Sequence, residues 1–520
     1  MKYFFSVFLI FCSSYIFSQP KYEFRAVWIA TVDNIDWPSP GNYSTELQKA
    51  EFIRQLDMHQ RNGMNAVIVQ VRPACDAFFP SSIEPWSQWL TGEQGRAPIP
   101  FYDPLEFMIR ETHKRGMEFH AWCNPYRAVF QISRKIVEKK HGKHKHDKII
   151  YVRGSSIAAN HVSVKHPDWI ITYGDTRYLD PGNKDVQRYV NTVIRDMLSR
   201  YDIDGIHFDD YFYPYRIRGA EFPDDISFAK YGAGMDRESW RRSNVDSVIL
   251  MLHNTIRDTK KNCKFGISPF GVWRNISQDT LGSNTQAGQT NYDDLYADIL
   301  LWLRKGWVDY VVPQLYWEFQ HAHAPYGILL EWWSKHSYGR PCYTGLGIYR
   351  AGSNQYWRDP NQLPRQIRTS RDFKEIGGQV YFSSTTFFKN PNGWSDTLRE
   401  NLYNYPALIA PMPWIDSLRP SVPVMQMKSR NDSLIYHFEK GTMTDTLRGF
   451  AIYKAGINFN MDSSVAFRFI PYNVQNQLAF KLSDMLSGSP ARFFVTAISR
   501  TNNESAPVLI YPLSTPASLP

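Results

Sequence analysis

Short apolar, β-rich runs recur along the chain, separated by segments whose apolar residues fall at helical spacing. Eight such runs are FRAVWIATV from Phe24, NAVIVQV from Asn65, MEFHAWC from Met117, GIHFDD from Gly205, FGISPF from Phe265, YVVPQLYW from Tyr310, CYTGLGI from Cys342 and QVYFSS from Gln379. Between them, stretches such as 46–61, 104–114, 185–199, 243–260 and 292–304 read as helices. Strand and helix alternating eight times predict an α/β fold, a closed parallel (β/α)8 or TIM barrel, over residues 19–405. The longest gaps follow the third and fourth strands.

Beyond residue 405 the texture changes. The stretch PALIAPMPWIDSLRPSVP, 406–423, packs five prolines into a predicted linker. After it come short alternating runs, SLIYHF, GFAIYKA, VAFRFIPY, QLAFKL and RFFVTAIS, which predict a small antiparallel, immunoglobulin-like sandwich over 424–520. Within it, FFVTAISRTNNESAPV from Phe493 resembles the late strands of fibronectin type III modules. Such a module is expected as a spacer or as a docking piece for an envelope protein partner.

At the other end, Met1 and Lys2, an apolar stretch from Tyr3 to Cys12 and the small and polar residues ending SYIFSQ predict a signal peptide over 1–18. That stretch is too short to span a bilayer, and no later one approaches the roughly 20 apolar residues a membrane helix needs. The expectation is an exported protein of the periplasm, cell envelope or extracellular space, without stable membrane insertion. After cleavage four cysteines remain, Cys75, Cys123, Cys263 and Cys342, with no Cys-x-x-Cys pair. They form neither a disulfide framework nor a zinc site, although Cys75 and Cys123 approach each other if their strands are neighbours.

Composition sharpens this picture in two respects. The 520 residues include 16 Trp, 31 Tyr and 32 Phe, enough rings to line a cleft as well as a core, and such rings stack on the flat faces of sugars. The formal net charge is +9, partly from SRKIVEKKHGKHKHDK starting at Ser133, which reads first as a solvated loop. For an exported chain nucleic acid is a poor partner, and an anionic envelope polymer is the better match. His141, His144 and His146 in that run match no ordered metal site.

Active sites of (β/α)8 enzymes lie at the C-terminal strand ends. Groups expected to contact a sugar there are Trp28 from strand one, Gln70 and Arg72 from strand two, and Asn124, Tyr126 and Arg127 from strand three. His207 from strand four, Trp273 and Arg274 from strand five, and Gln314, Tyr316 and Trp317 from strand six complete the set. Asp33, Asp36, Asp76 and Ser268 also sit near strand ends. In DGIHFDDYFYPY, alternation turns Phe208 to the outer helices and His207 and Asp209 to the axis. Asp210 reaches the cleft only if the chain bends, and otherwise caps a helix or pairs with an arginine.

Paired carboxyls among rings suit glycoside hydrolysis, in which one stabilises or attacks the oxocarbenium-like centre and another protonates the leaving oxygen. Asp209 fits the first role. For the second, Glu318 is the best-placed glutamate if it is not a surface residue just past the strand, with Tyr316 and Trp317 as the apolar surroundings that raise an acid's pKa. Asp210 is the reserve acid. No Gly-x-Ser-x-Gly elbow, P-loop, dinucleotide fingerprint or His-Glu-x-x-His occurs, so neither a cofactor nor a metal is expected. The segment LDPGNKDV reads as the start of a helix capped by Asn183 or a neighbour.

The blocks EFRAVWIATVDNIDWP, AWCNPYR, LDPGNKDV, DGIHFDDYFYP, GISPFGVWRN and VVPQLYW together resemble the glycosyl-hydrolase-like 10 family, also known as domain of unknown function 187, over roughly residues 22–405. The resemblance implies a (β/α)8 barrel and action on peptidoglycan, cutting glycan strands whose stem peptides have been removed. Some such proteins are lipoproteins, and Phe11-Cys12 departs from that pattern. DGIHFD also resembles the α-amylase-type Asp-Gly-Phe-Arg-x-Asp segment, whose last Asp, the nucleophile, corresponds to Asp209. In the longer acidic motif that it resembles in family 18 chitinases, the acid is replaced here by Tyr211. A peptide-free strand bares a lactyl carboxylate on each N-acetylmuramic acid, for which Arg72, Arg127 and Arg274 are the expected partners. The competing readings are a hydrolase of another extracellular polysaccharide and a non-catalytic glycan-binding barrel.

Overall fold

A computed structural model describes residues 19–131, 133–138, 148–153, 157–430, 433–438, 447–455, 459–472, 477–481 and 492–510. The expected signal peptide, 1–18, and the middle of the basic run, 139–147 with its three histidines, lie outside these residues.

Eight strands form the barrel: β1 (Phe24–Ile29), β2 (Ala66–Arg72), β3 (Glu118–Cys123), β4 (Gly205–Phe208), β5 (Lys264–Ile267), β6 (Tyr310–Val311), β7 (Cys342–Leu346) and β8 (Ile376–Tyr381). Each pairs in parallel with the next, and β8 closes on β1 through Phe24–Gly378 to Val27–Tyr381. The eight predicted runs supply these eight strands, because alternation along each run sorts its side chains into two layers. Val27, Val67, Ile206 and Phe208 face outward into the core shared with the helices. Phe24, Trp28, Ile68, Tyr310 and Tyr343 fill the barrel.

Local signals set the helices. Thr45–Arg61 is capped by Ser44, Pro104–His113 by Asp103 and Lys184–Arg200 by Asn183, each side chain accepting a backbone N–H of the first turn. LDPGNKDV is thus a helix start, as its sequence suggests. After β3 the chain makes a hairpin (Ser133–Glu138 with Lys148–Arg153) and a three-stranded sheet from Arg127–Val129, Thr176–Leu179 and Ile170–Tyr173.

The proline-rich segment expected as a linker is a strap across the N-terminal end of the barrel. Leu408 bridges Tyr22, and Ile409, Met412 and Ile415 are buried in the same cluster as Phe24 and Tyr310. Burial of that size stabilises by about 2 kcal/mol per side chain. Two antiparallel sheets follow, one from Met425–Arg430, Ser433–Phe438 and Gln477–Lys481, the other from Arg468–Pro471, Leu447–Ala455, Arg492–Ser499 and Val508–Ile510. Ion pairs fasten the second sheet beneath the barrel, Arg500 to Asp204 at 2.8 Å and Glu504 to Lys21 at 2.7 Å. Cys75, Cys123, Cys263 and Cys342 are all buried free thiols.

Candidate active site

The C-terminal strand ends enclose a cavity of about 420 Å³. Its two carboxyls are neighbours, Asp209 and Asp210, both nearly fully buried. Strand β4 ends at Phe208, so alternation no longer governs the next residues and both side chains turn into the cavity. The bend that Asp210 needs to reach the cleft is therefore present, and the alternative of a helix cap does not apply.

The two carboxyls have different surroundings. Asp209 accepts Trp122 Nε1 at 2.9 Å, Asn124 Nδ2 at 3.1 and 3.0 Å, and the Tyr211 N–H at 3.4 Å, with Arg127 3.9 Å away. Burial raises its pKa, while Arg127, Asn124 and Trp122 pull it back. Asp210 takes a hydrogen bond from the Tyr215 hydroxyl. Burial and then the charge of Asp209 push it up to about 7. Burial thus raises both carboxyls, but Asp210 also faces the charge of Asp209, whereas Asp209 faces a guanidinium and two nitrogen donors.

Around the pair stand Trp28, Trp122, Tyr211, Tyr316, Tyr349 and Phe382. Arg127 lies over the Tyr211 ring at 5.1 Å and the Phe130 ring at 5.4 Å. Gln70 and Gln314 also line the cavity. Gln70 Oε1 accepts the N–H groups of Thr31 and Val32 at 3.1 and 2.9 Å, so the loop after β1 is held to β2. The floor is Ser268, with His207 beneath it at 3.0 Å.

Several expected site residues are placed elsewhere. Glu318 is buried outside the cavity, where its carboxylate accepts Trp357 Nε1 at 2.8 Å and Asn354 Nδ2 at 3.1 Å. Arg72 is locked to Glu84 at 2.6 Å and to the Asn124 carbonyl at 2.5 Å. Arg274 is held by Asp279 and Asp293, both at 2.9 Å. Tyr126 is wholly buried in the outer core. Trp273 packs there on Trp332 with ring centroids 6.0 Å apart, and Trp317 meets the edge of Phe270 at 5.5 Å. The competing partners run from near in sequence, Asp279 for Arg274 and Glu84 for Arg72, to distant, Trp357 for Glu318.

Sequence reasoning passed over Trp122, Phe130, Tyr349 and Phe382. Trp122 was within reach, because it alternates with His120 and Asn124 on the inward side of β3. Tyr349 and Phe382 follow strands whose ends carry no carboxylate, and no local signal marks them. Among the described residues no cluster of His, Cys, Asp and Glu has the makings of a metal site. No helix among them is long and apolar enough to cross a membrane.

A closed parallel barrel whose C-terminal mouth gathers a carboxyl pair among aromatic rings has the architecture of a glycoside hydrolase. The chain belongs to the glycosyl hydrolase-like 10 family, whose profile matches residues 23–361, in agreement with the six sequence blocks. It is 43% identical over 448 residues to the glycosyl hydrolase YngK of Bacillus subtilis, covering 84% of both chains. To the glycosyl hydrolase DigH of Escherichia coli K12 it is 38% identical over 385 residues, 70% of this chain and 83% of that one. Among solved structures, the glycoside hydrolase domain of PgaB (BpsB) from Bordetella bronchiseptica aligns with 73% of this chain and 99% of its own, at 15% identity and a TM-score of 0.46.

Proposed function

We propose that this glycoside hydrolase is exported and cleaves the glycan strands of the bacterial cell wall, acting on peptidoglycan whose stem peptides have been removed. The observation that carries this reading is the meeting, in one cavity, of two carboxyls of unequal acidity with a guanidinium. Asp210, pushed up to about 7, keeps its proton near neutrality and donates it to the leaving oxygen. Asp209, held as a carboxylate by Trp122, Asn124 and Arg127, stabilises the oxocarbenium-like centre. Trp28, Trp122 and Tyr316 offer flat faces for sugar rings.

Removal of the stem peptide bares a lactyl carboxylate on every N-acetylmuramic acid. Arg127 is the only cation among the described residues that line the cavity, and a planar guanidinium suits that group. The net charge of +9 favours an anionic polymer, and the pattern of residues 1–18 supports export. The direct test incubates the protein and its Asp209→Asn variant with amidase-treated peptidoglycan and with untreated sacculi. Soluble sugar fragments are expected from the wild type on the treated strands alone. Fragments from both proteins, or from neither, sink the reading.

A further inference from the structure

The interior of a TIM barrel is ordinarily filled by layers of branched apolar side chains. In this barrel one column is polar throughout. Glu118, His120, His207 and Tyr310 are each at most 1% exposed. They form one chain of hydrogen bonds, Glu118 Oε2 to His120 Nε2 at 2.9 Å, His120 Nδ1 to Tyr310 OH at 2.7 Å, and Tyr310 OH to His207 Nδ1 at 3.1 Å. His207 Nε2 then reaches Ser268 Oγ at 3.0 Å and Trp28 Nε1 at 3.4 Å, and both residues line the cavity. Two glycines make room for this column. A Cβ on Gly266 would lie 1.9 Å from the Tyr310 ring, and one on Gly205 would lie 2.5 Å from the His120 ring.

The direction of every hydrogen in the chain follows from its ends. Trp28 Nε1 can only donate, so His207 Nε2 accepts. Burial holds the His207 pKa well below its ordinary value, so the ring is neutral and its single proton sits on Nδ1, donated to Tyr310. The Tyr310 hydrogen then goes to His120 Nδ1, which leaves His120 Nε2 to donate to Glu118. From the other end, Glu118 is held ionised by Lys264 at 2.7 Å and accepts Asn502 Nδ2 at 2.8 Å, so it too demands a donor from His120. Both ends dictate the same polarity. Asn502 belongs to the C-terminal sheet region, and its amide cannot flip because Oδ1 accepts Arg448 at 2.5 Å.

The consequence lies at the cavity floor. Among the described residues, the acceptors within reach of the Ser268 hydroxyl are His207 Nε2 and the Phe208 carbonyl at 3.4 Å, and neither lines the cavity. Its hydrogen is therefore kept by the protein, and its lone pairs are what a ligand meets. We propose that Tyr310, acting through His207, is a positioning residue that keeps Ser268 a pure hydrogen-bond acceptor for a hydroxyl or amide N–H of the bound glycan. The C-terminal region holds the far end of the same chain through Asn502.

The catalytic part of this inference rests on the glycan reading above, and the test separates the two. In the wild-type protein, ¹⁵N chemical shifts of the imidazoles are expected to show His207 protonated on Nδ1 and His120 on Nε2. The opposite tautomer at His207 overturns the proposal, whatever the enzyme cleaves and whether or not any variant folds. Tyr310→Phe is expected to lower kcat/KM on amidase-treated glycan about tenfold, the scale of one hydrogen bond, and to mix the His207 tautomers. In a Ser268→Ala background the same substitution is expected to change kcat/KM less than twofold, since Tyr310 acts through Ser268. Equal losses in the two backgrounds overturn the positioning role. A wild-type protein inert on the glycan removes the substrate assignment alone, and the imidazole shifts still decide the chain.

Discussion

Asn124 turns its amide nitrogen toward both carboxylate oxygens of Asp209, at 3.1 and 3.0 Å, and its orientation is fixed because its Oδ1 takes the N–H groups of Tyr126 and Arg127 at 3.3 and 2.8 Å. The turn that follows β3 thus builds a fixed donor for one carboxyl of the pair. Asp210 receives the Tyr215 hydroxyl and the Gln314 side chain, but its charged neighbour is Asp209 rather than a guanidinium, and that difference makes it the better proton carrier of the two.

If Asp209 is the charged participant, Asp209→Asn keeps the fold and loses roughly a thousandfold in kcat, within the range for a lost acid–base or nucleophilic group. Asn124→Ala is expected to cost about tenfold through the same carboxylate. Reducing-end release on amidase-treated glycan measures both. A loss below tenfold for Asp209→Asn refutes its role.

The acid role of Asp210 predicts an alkaline limb in kcat/KM near pH 7. The Tyr215 hydroxyl favours the charged form of Asp210, so Tyr215→Phe raises the pKa and shifts the limb to higher pH. A shift to lower pH in the measured profile contradicts the assignment.

The same carboxyl links stability to pH. Folding raises it from an ordinary 3.8 to about 7, so its contribution is complete below about pH 4 and is lost as the pH rises through 7. Asp210→Asn should therefore melt above the wild type at pH 8, and the gap should close toward pH 4. Melting curves by circular dichroism across that window test the sign.

The two arginines should differ in what their loss affects most. Arg127→Ala is expected to cost less stability than Arg72→Ala, its carboxylate being 3.9 Å away, and to lose more activity on denuded peptidoglycan than on uncharged chitin-type chains, and equal losses would rule out carboxylate reading. Arg72→Ala leaves Glu84 buried without its partner, at a cost of about 3–5 kcal/mol in folding, which denaturant titration reads directly.

Glu318→Gln should leave kcat within twofold. Its carboxylate is bound to Trp357 and Asn354 and lies away from the cavity, so the expected cost is about 1–3 kcal/mol of stability. Loss of activity in a stably folded variant would return Glu318 to the catalytic set.

Much of the fold is legible because its cause is local. A period of two along eight runs, with helical spacing between them, sorts side chains into an inner and an outer layer, and the barrel is the closed form of that pattern. The same alternation places Phe208 outward and His207 inward. It leaves Asp210 open, because the rule lapses where β4 ends at Phe208. The proline-rich segment misleads for a related reason: prolines mark it as irregular, yet Ile409, Met412 and Ile415 bury themselves under the barrel.

By itself the sequence determined the eightfold alternation, the blocks that mark the family and the inward face of His207, since each depends on residues close together in the chain. Only the tertiary structure decided which strand-end groups share a cavity. Arg72 is withdrawn by Glu84, Glu318 by Trp357, and Arg274 by Asp293, through ion pairs and hydrogen bonds whose partners sit on other loops. The column from Glu118 to Ser268 likewise draws on β3, β4, β6 and the residue after β5, with its far end held by Asn502. Burial makes each of these contacts strong, and burial exists only once the barrel has closed.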